Sequence, residues 1–100
     1  DNIEVNNNLK KLDSSDVVIT DTWESMGEIV NEKIIKDFST YTVNQEMMSV
    51  FGNECIFMHC LPANRGQEVA PEVIDGPQSV VWDEAQNRLH IQKEIIKWCL

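Results

Sequence analysis

Three stretches of the chain hold side chains fit for chemistry. The first is Asp21-Thr22-Trp23-Glu24-Ser25-Met26-Gly27, where a carboxylate and a hydroxyl precede a helical pattern. Backbone N–H groups at a helix start suit a carboxylate ligand, and Asp21 with Ser25 suits an ammonium group. An α-amino acid head presents both charges. The same pattern also serves as an N-cap with a solvated acid. The second stretch is His59-Cys60-Leu61-Pro62. Cys60 there is a nucleophile, a hydrogen-bonding thiol or a small hydrophobe. The third is Asp83-Glu84-Ala85-Gln86-Asn87-Arg88-Leu89-His90. Arg88 and Arg65 are the only arginines in a chain of 100 residues with formal charge −9. Each is a candidate for gripping an anion with a bidentate fork, or else a surface partner for one of seventeen acids.

The spacing of polar and apolar residues indicates the elements that position these groups. Asp16-Val17-Val18-Ile19-Thr20-Asp21 reads as a strand buried on both faces, the type found in parallel sheets. Cys55-Ile56-Phe57-Met58-His59-Cys60 reads as a second strand. Alternation puts Cys55, Phe57 and His59 on one side and Ile56, Met58 and Cys60 on the other. Asp21 and Cys60 thus meet at the C-terminal edge of one sheet, where open α/β sheets bind ligands. His59 faces away from Cys60, so a nucleophilic thiol lacks an adjacent base, although His90 is distant in sequence and stays open. Cys55, His59 and Cys60 do not match the usual zinc-ligand spacings. No metal and no cofactor are implied.

Around these strands, Ile3–Val5 reads as a strand end and Leu9–Leu12 as a short helix. Glu28–Phe38 has helical spacing, with Val30, Ile34 and Phe38 on one stripe. Tyr41-Thr42-Val43 is extended. Asn44 is an N-cap for a helix with Met47, Met48 and Phe51 on its apolar face and Gly52 as its stop. Pro71 favours the start of a short helix that ends by Ile74, and Asp75-Gly76-Pro77 is a turn. Ser79-Val80-Val81-Trp82 reads as a third strand. A last helix from about Asn87 carries Leu89, Ile91, Ile95, Trp98 and Cys99, with Arg88 at its opening. Trp23, Trp82 and Trp98 read as packing residues. Lys10, Lys11, Lys33 and Lys36 read as solvated faces. Strand and helix alternate, so the fold class is α/β, part of a three-layer doubly wound sandwich with a parallel sheet flanked by helices.

Composition excludes several function classes. Seventeen acids against eight bases repel phosphate backbones and anionic lipid surfaces, so neither nucleic acid nor membrane is an expected partner. No apolar run approaches the roughly 18–20 residues that span a bilayer. Three cysteines without a close CxxC pair argue against a disulfide scaffold. The chain begins at Asp1 and stops at Leu100 inside an apolar helical pattern, so part of a longer protein is expected.

The three stretches occur in an order that closely resembles the C-terminal half of ornithine carbamoyltransferases. His59-Cys60-Leu61-Pro62-Ala63-Asn64-Arg65-Gly66 is the second of the three, and three motifs in register are far more specific than any one alone. Tyr41-Thr42-Val43-Asn44 and Val73-Ile74-Asp75-Gly76-Pro77 also look like that family, and the likeness is firmest from Asp16 to Leu100. It implies carbamoyl transfer from carbamoyl phosphate to the δ-amine of L-ornithine, giving L-citrulline and phosphate. Residues 1–100 would be the C-terminal part of the ornithine-binding domain. The carbamoyl-phosphate-binding N-terminal domain, with the family's Ser-x-Arg-Thr and His-Pro-x-Gln motifs, is absent from these residues. The resemblance further implies a homotrimer and a cytoplasmic location, or a mitochondrial one in a eukaryote. It leaves open a biosynthetic or a degradative role in arginine metabolism.

By the same resemblance, Asp21 and Ser25 bind the ornithine α-amino group and Met26 contacts the amino-acid head through its backbone. Cys60 sits beside the reacting nitrogen as a polar, proton-accepting neighbour. Leu61 offers its carbonyl to the carbamoyl amide, and Arg88 polarises the carbamoyl oxygen. Aspartate carbamoyltransferases typically replace the cysteine with proline. Putrescine carbamoyltransferases, the nearer alternative, alter the Ser25-Met26-Gly27 loop, which is intact here. Asn64, where many bacterial ornithine enzymes carry histidine, and Glu24 depart from the common pattern. A second reading is a non-catalytic α/β fragment that binds a ligand or a partner. Either way, the isolated 100 residues are expected to be inactive as a transferase.

Overall fold

A computed structural model of the chain describes residues 3–9, 14–24, 27 and 32–100. Two strands, β1 (Val17–Thr20) and β2 (Ile56–His59), pair in parallel with Val17 opposite Ile56 and Thr20 opposite His59. Between them run helix α1 (Glu32–Phe38), a 3-10 turn (Ser39–Tyr41) and helix α2 (Gln45–Phe51). Helix α3 (Pro71–Ile74) and the long helix α4 (Val81–Cys99) follow β2. Leu9–Leu12 and the start of the Glu28–Phe38 helix fall largely outside the described residues.

Local chemistry sets the boundaries of these elements. The Asn44 side chain accepts from the Met47 N–H at 2.9 Å, satisfying one of the four free donors at the start of α2. Gly52 then leaves α2 with φ +84°, a conformation costly for any residue with a Cβ. Pro71 opens α3, where its missing N–H costs nothing.

The core lies under β2. Phe57 is fully buried, with Val43, Met48, Val69, Val73, Ile74 and Val81 around it. Burying one such aromatic side chain is worth about 1.5–3 kcal/mol. Alternation along β2 holds: Cys55, Phe57 and His59 are buried, and Cys60 is exposed.

Several sequence expectations need correction. The third strand reduces to one parallel bridge between Phe57 and Ser79. The Phe57 N–H donates to the Gln78 carbonyl and the Val80 N–H to the Phe57 carbonyl, and there the chain turns into α4. A bond from the Glu84 N–H to the Val80 carbonyl closes the first turn of α4. The helix thus begins at Val81 rather than near Asn87, and Arg88 stands inside it instead of opening it. Acids at Asp83 and Glu84 favour that helix start through the helix dipole. The β propensity of Val80-Val81-Trp82 yields to this context. Ile3–Val5 forms no strand, and Ile3 and Val5 are exposed. The strand β1 is not buried on both faces, since Val17 and Ile19 are exposed. The apolar stripe of α4 is also open. Leu89, Ile91, Ile95 and Trp98 are exposed, as is Cys99. Trp82 does not pack inside either. No helix among the described residues is long and apolar enough to cross a membrane.

Candidate functional site

The ladder ends at Thr20–His59, so the next residues of the two strands are Asp21 and Cys60. There the Cys60 thiol donates to Asp21 Oδ1 at 3.0 Å, and the Thr22 N–H donates to the same oxygen at 2.7 Å. Among the described residues Asp21 Oδ2 has no partner and is open to a ligand. Both bonds favour the ionised carboxylate, the thiol more than the amide, and hold Asp21 below the usual carboxylate range. The same contact, aided by burial, pushes the Cys60 thiol up. Cys60 is therefore a hydrogen-bonding thiol and not an activated thiolate. In this pair it gives its hydrogen bond to Asp21. Ser25 and Met26, the other ornithine-head candidates, lie outside the described residues.

Arg88 comes to the other side of Cys60. Cys60, Leu61 and Pro62 line one wall of a cleft of about 510 Å³, with Ala85, Arg88 and Leu89 on the α4 wall. Arg88 is exposed and forms no ion pair among the described residues. Arg65 behaves differently. Its guanidinium holds Asp75 through two bonds, Nε to Oδ2 at 2.9 Å and Nη2 to Oδ1 at 2.8 Å. That fork occupies the arginine on the surface, which leaves Arg88 as the anion candidate.

The loop after Cys60 has an unusual backbone. Leu61 adopts φ +54°, and the Leu61-Pro62 peptide bond is cis. A left-handed leucine costs of order 1–3 kcal/mol and persists only where its surroundings hold it. What holds it was missed from the sequence. The Leu61 N–H donates to His59 Nδ1 at 2.9 Å, and His59 Nε2 lies 3.1 Å from Glu68 Oε1. Glu68 Oε1 also accepts from the Asn64 N–H at 2.6 Å, and the His59 N–H donates to Glu84 Oε2 on α4 at 3.0 Å. His59 and Glu68 are both fully buried. Alternation puts His59 on the face of Cys55 and Phe57, which is the buried one, and a polar ring there requires a partner. That requirement was the available signal. The partner's identity was not, because Glu68 reaches it across a loop.

Among the described residues no group of three or more His, Cys, Asp or Glu side chains is placed to hold a metal.

Comparison with known proteins bears on what this edge does. A family described as aspartate/ornithine carbamoyltransferase, Asp/Orn binding domain, matches residues 1–99. The chain belongs to the aspartate/ornithine carbamoyltransferase family. Among carbamoyltransferases it is 59% identical to an ornithine carbamoyltransferase of Azoarcus sp. over 85 residues, covering 84% of this chain and 27% of the relative. It is 58% identical to one from Methanobrevibacter smithii over 96 residues, 94% of this chain and 32% of that protein. The solved anabolic ornithine carbamoyltransferase of Campylobacter jejuni superposes with a TM-score of 0.80 at 41% identity, covering 90% of this chain and 30% of that one. The chain thus spans about a third or less of the length of the carbamoyltransferases it matches. The α/β class, with a parallel sheet flanked by helices, is the one read from the sequence.

Proposed function

We propose that this chain is the ornithine-binding part of an ornithine carbamoyltransferase, and that the complete enzyme transfers a carbamoyl group from carbamoyl phosphate to L-ornithine. The observation that carries this reading is the juxtaposition of Asp21, Cys60 and the Arg88 cleft at one sheet edge. The carbamoyl-phosphate-binding domain lies outside these 100 residues.

Asp21, kept ionised, receives the ornithine α-ammonium on its free Oδ2, with Ser25 and the Met26 backbone completing the head site. The δ-amine must arrive neutral, although an alkylamine is mostly protonated near pH 7. Its nitrogen attacks the carbamoyl carbon beside Cys60. The new C–N bond forms, the C–O bond breaks with its electron pair leaving on phosphate, and the nitrogen's proton passes to that departing phosphate. Negative charge grows on the carbamoyl oxygen, where the Arg88 guanidinium stabilises it. The Leu61 carbonyl orients the carbamoyl amide. No covalent thiol intermediate is needed, which agrees with a thiol held protonated.

The family resemblance supports a homotrimer in the cytoplasm, serving arginine metabolism. Citrulline formation by the complete polypeptide tests the reading. Carbamoyl transfer to ornithine in clear preference to putrescine and aspartate is expected. Preference for putrescine would move the chain to the neighbouring activity, and no transfer to any amine would favour a non-catalytic module. The isolated 100 residues are expected to form no citrulline.

A further inference from the structure

We propose that His59 and Glu68 act as a positioning pair that sets the Leu61 backbone at the mouth of the Arg88 cleft. The inference rests on the carbamoyltransferase reading above and adds to it two residues that touch no substrate.

The bonds assign the ring's protons. Nδ1 accepts the Leu61 N–H, so it carries no hydrogen. The neutral ring then bears its proton on Nε2 and donates it to Glu68 Oε1. Glu68 Oε1 also takes the Asn64 N–H. One buried oxygen therefore fixes both ends of the loop from Leu61 to Asn64, one end directly and the other through the imidazole. The His59 backbone is tied separately to Glu84 on α4, the helix that carries Arg88. Leucine does not adopt φ +54° readily, so removing the acceptor at Nδ1 frees the backbone to relax. The cleft wall formed by Cys60, Leu61 and Pro62 would move with it. A misplacement of about 1 Å at a reacting centre costs about 100-fold in rate.

Two amide replacements of His59 separate its two bonds. In His59→Asn an amide oxygen takes the place of Nδ1 and keeps the Leu61 acceptor while losing Glu68. In His59→Gln an amide N–H takes the place of Nε2 and keeps Glu68 while losing the Leu61 acceptor. In the complete enzyme, His59→Gln is expected to lower kcat about 100-fold with ornithine KM within about threefold, because the Asp21 head site is untouched. His59→Asn is expected to keep kcat within about tenfold. Glu68→Gln preserves an oxygen acceptor and is expected to rescue most of the activity that Glu68→Leu loses. Nitrogen NMR of the unsubstituted protein should show His59 Nδ1 bare and Nε2 protonated.

A protonated Nδ1 overturns the proposal whether or not any variant folds. So does wild-type kcat in folded His59→Gln, or an equal loss in the Asn and Gln variants. If the unsubstituted enzyme forms citrulline and His59→Gln is unimpaired, only the positioning pair is wrong. If it forms none, the functional reading fails, and the nitrogen spectrum still decides the lock.

Discussion

Cys60 Sγ and Asp21 Oδ1 stand 3.0 Å apart just past the ends of two adjacent strands, with the thiol as donor. The carboxylate holds the proton on sulfur, so the thiolate that alkylating reagents need forms only above the ordinary thiol range. Replacing Asp21 with Asn removes the charge, and the thiol then ionises at lower pH. Iodoacetamide labelling of Cys60 across a pH series should show its midpoint move down in Asp21→Asn. A midpoint that stays put or rises would show that the carboxylate does not control the thiol.

The Arg65–Asp75 fork makes a similar sign testable in folding. Asp75 is held below the usual carboxylate range, first by its hydrogen bond to Arg65. A carboxyl with a depressed folded value contributes stability above its unfolded value and loses it as pH falls through the folded one. Thermal melts of Arg65→Ala should therefore lie slightly below wild type at neutral pH and converge on it in acid. Added salt should shrink the difference, because both partners are solvent-exposed.

In the complete enzyme, Arg88→Gln should reduce kcat by about 100- to 1000-fold, the usual loss when a donor to developing oxyanion charge is removed. Arg88 is exposed and bears no ion pair among the described residues, so the melting temperature should hardly change. Steady-state kinetics beside a thermal melt checks both halves. Retained kcat would remove Arg88 from the proposed chemistry.

Asn44 caps α2 with a single side-chain bond to the Met47 N–H. Asn44→Ala should cost about 1 kcal/mol, while Asn44→Asp, which keeps an acceptor oxygen, should cost little. Urea denaturation separates the two.

The site was more legible in the sequence than its supports. Period-two alternation from Cys55 to Cys60 correctly divided the residues between two faces, because one face of β2 is fully packed and the other is not. The same reasoning brought Asp21 and Cys60 to one edge before any distance was known. Asn44 was readable because capping is local. Ser79–Trp82 was misread because β-branched and aromatic residues favour a strand locally, whereas Val81 is needed in the core from the first turn of α4. The His59–Glu68 pair was illegible because its geometry depends on a loop whose path no periodicity records.

The parallel register carries a further consequence. Val17 opposes Ile56, and Asp21 meets Cys60, both at an offset of 39 positions. Length changes in the long connection between the strands alter that offset while leaving the carboxylate and thiol face to face. Residues added or lost in an exposed surface segment there are therefore tolerated. A single residue inserted within β2 acts differently. It either shifts the pairing or turns the following side chains over, exchanging the places of His59 and Cys60. Descendants of this segment can vary in length where the span between the strands is exposed, but the eight residues of the two strands must keep their count.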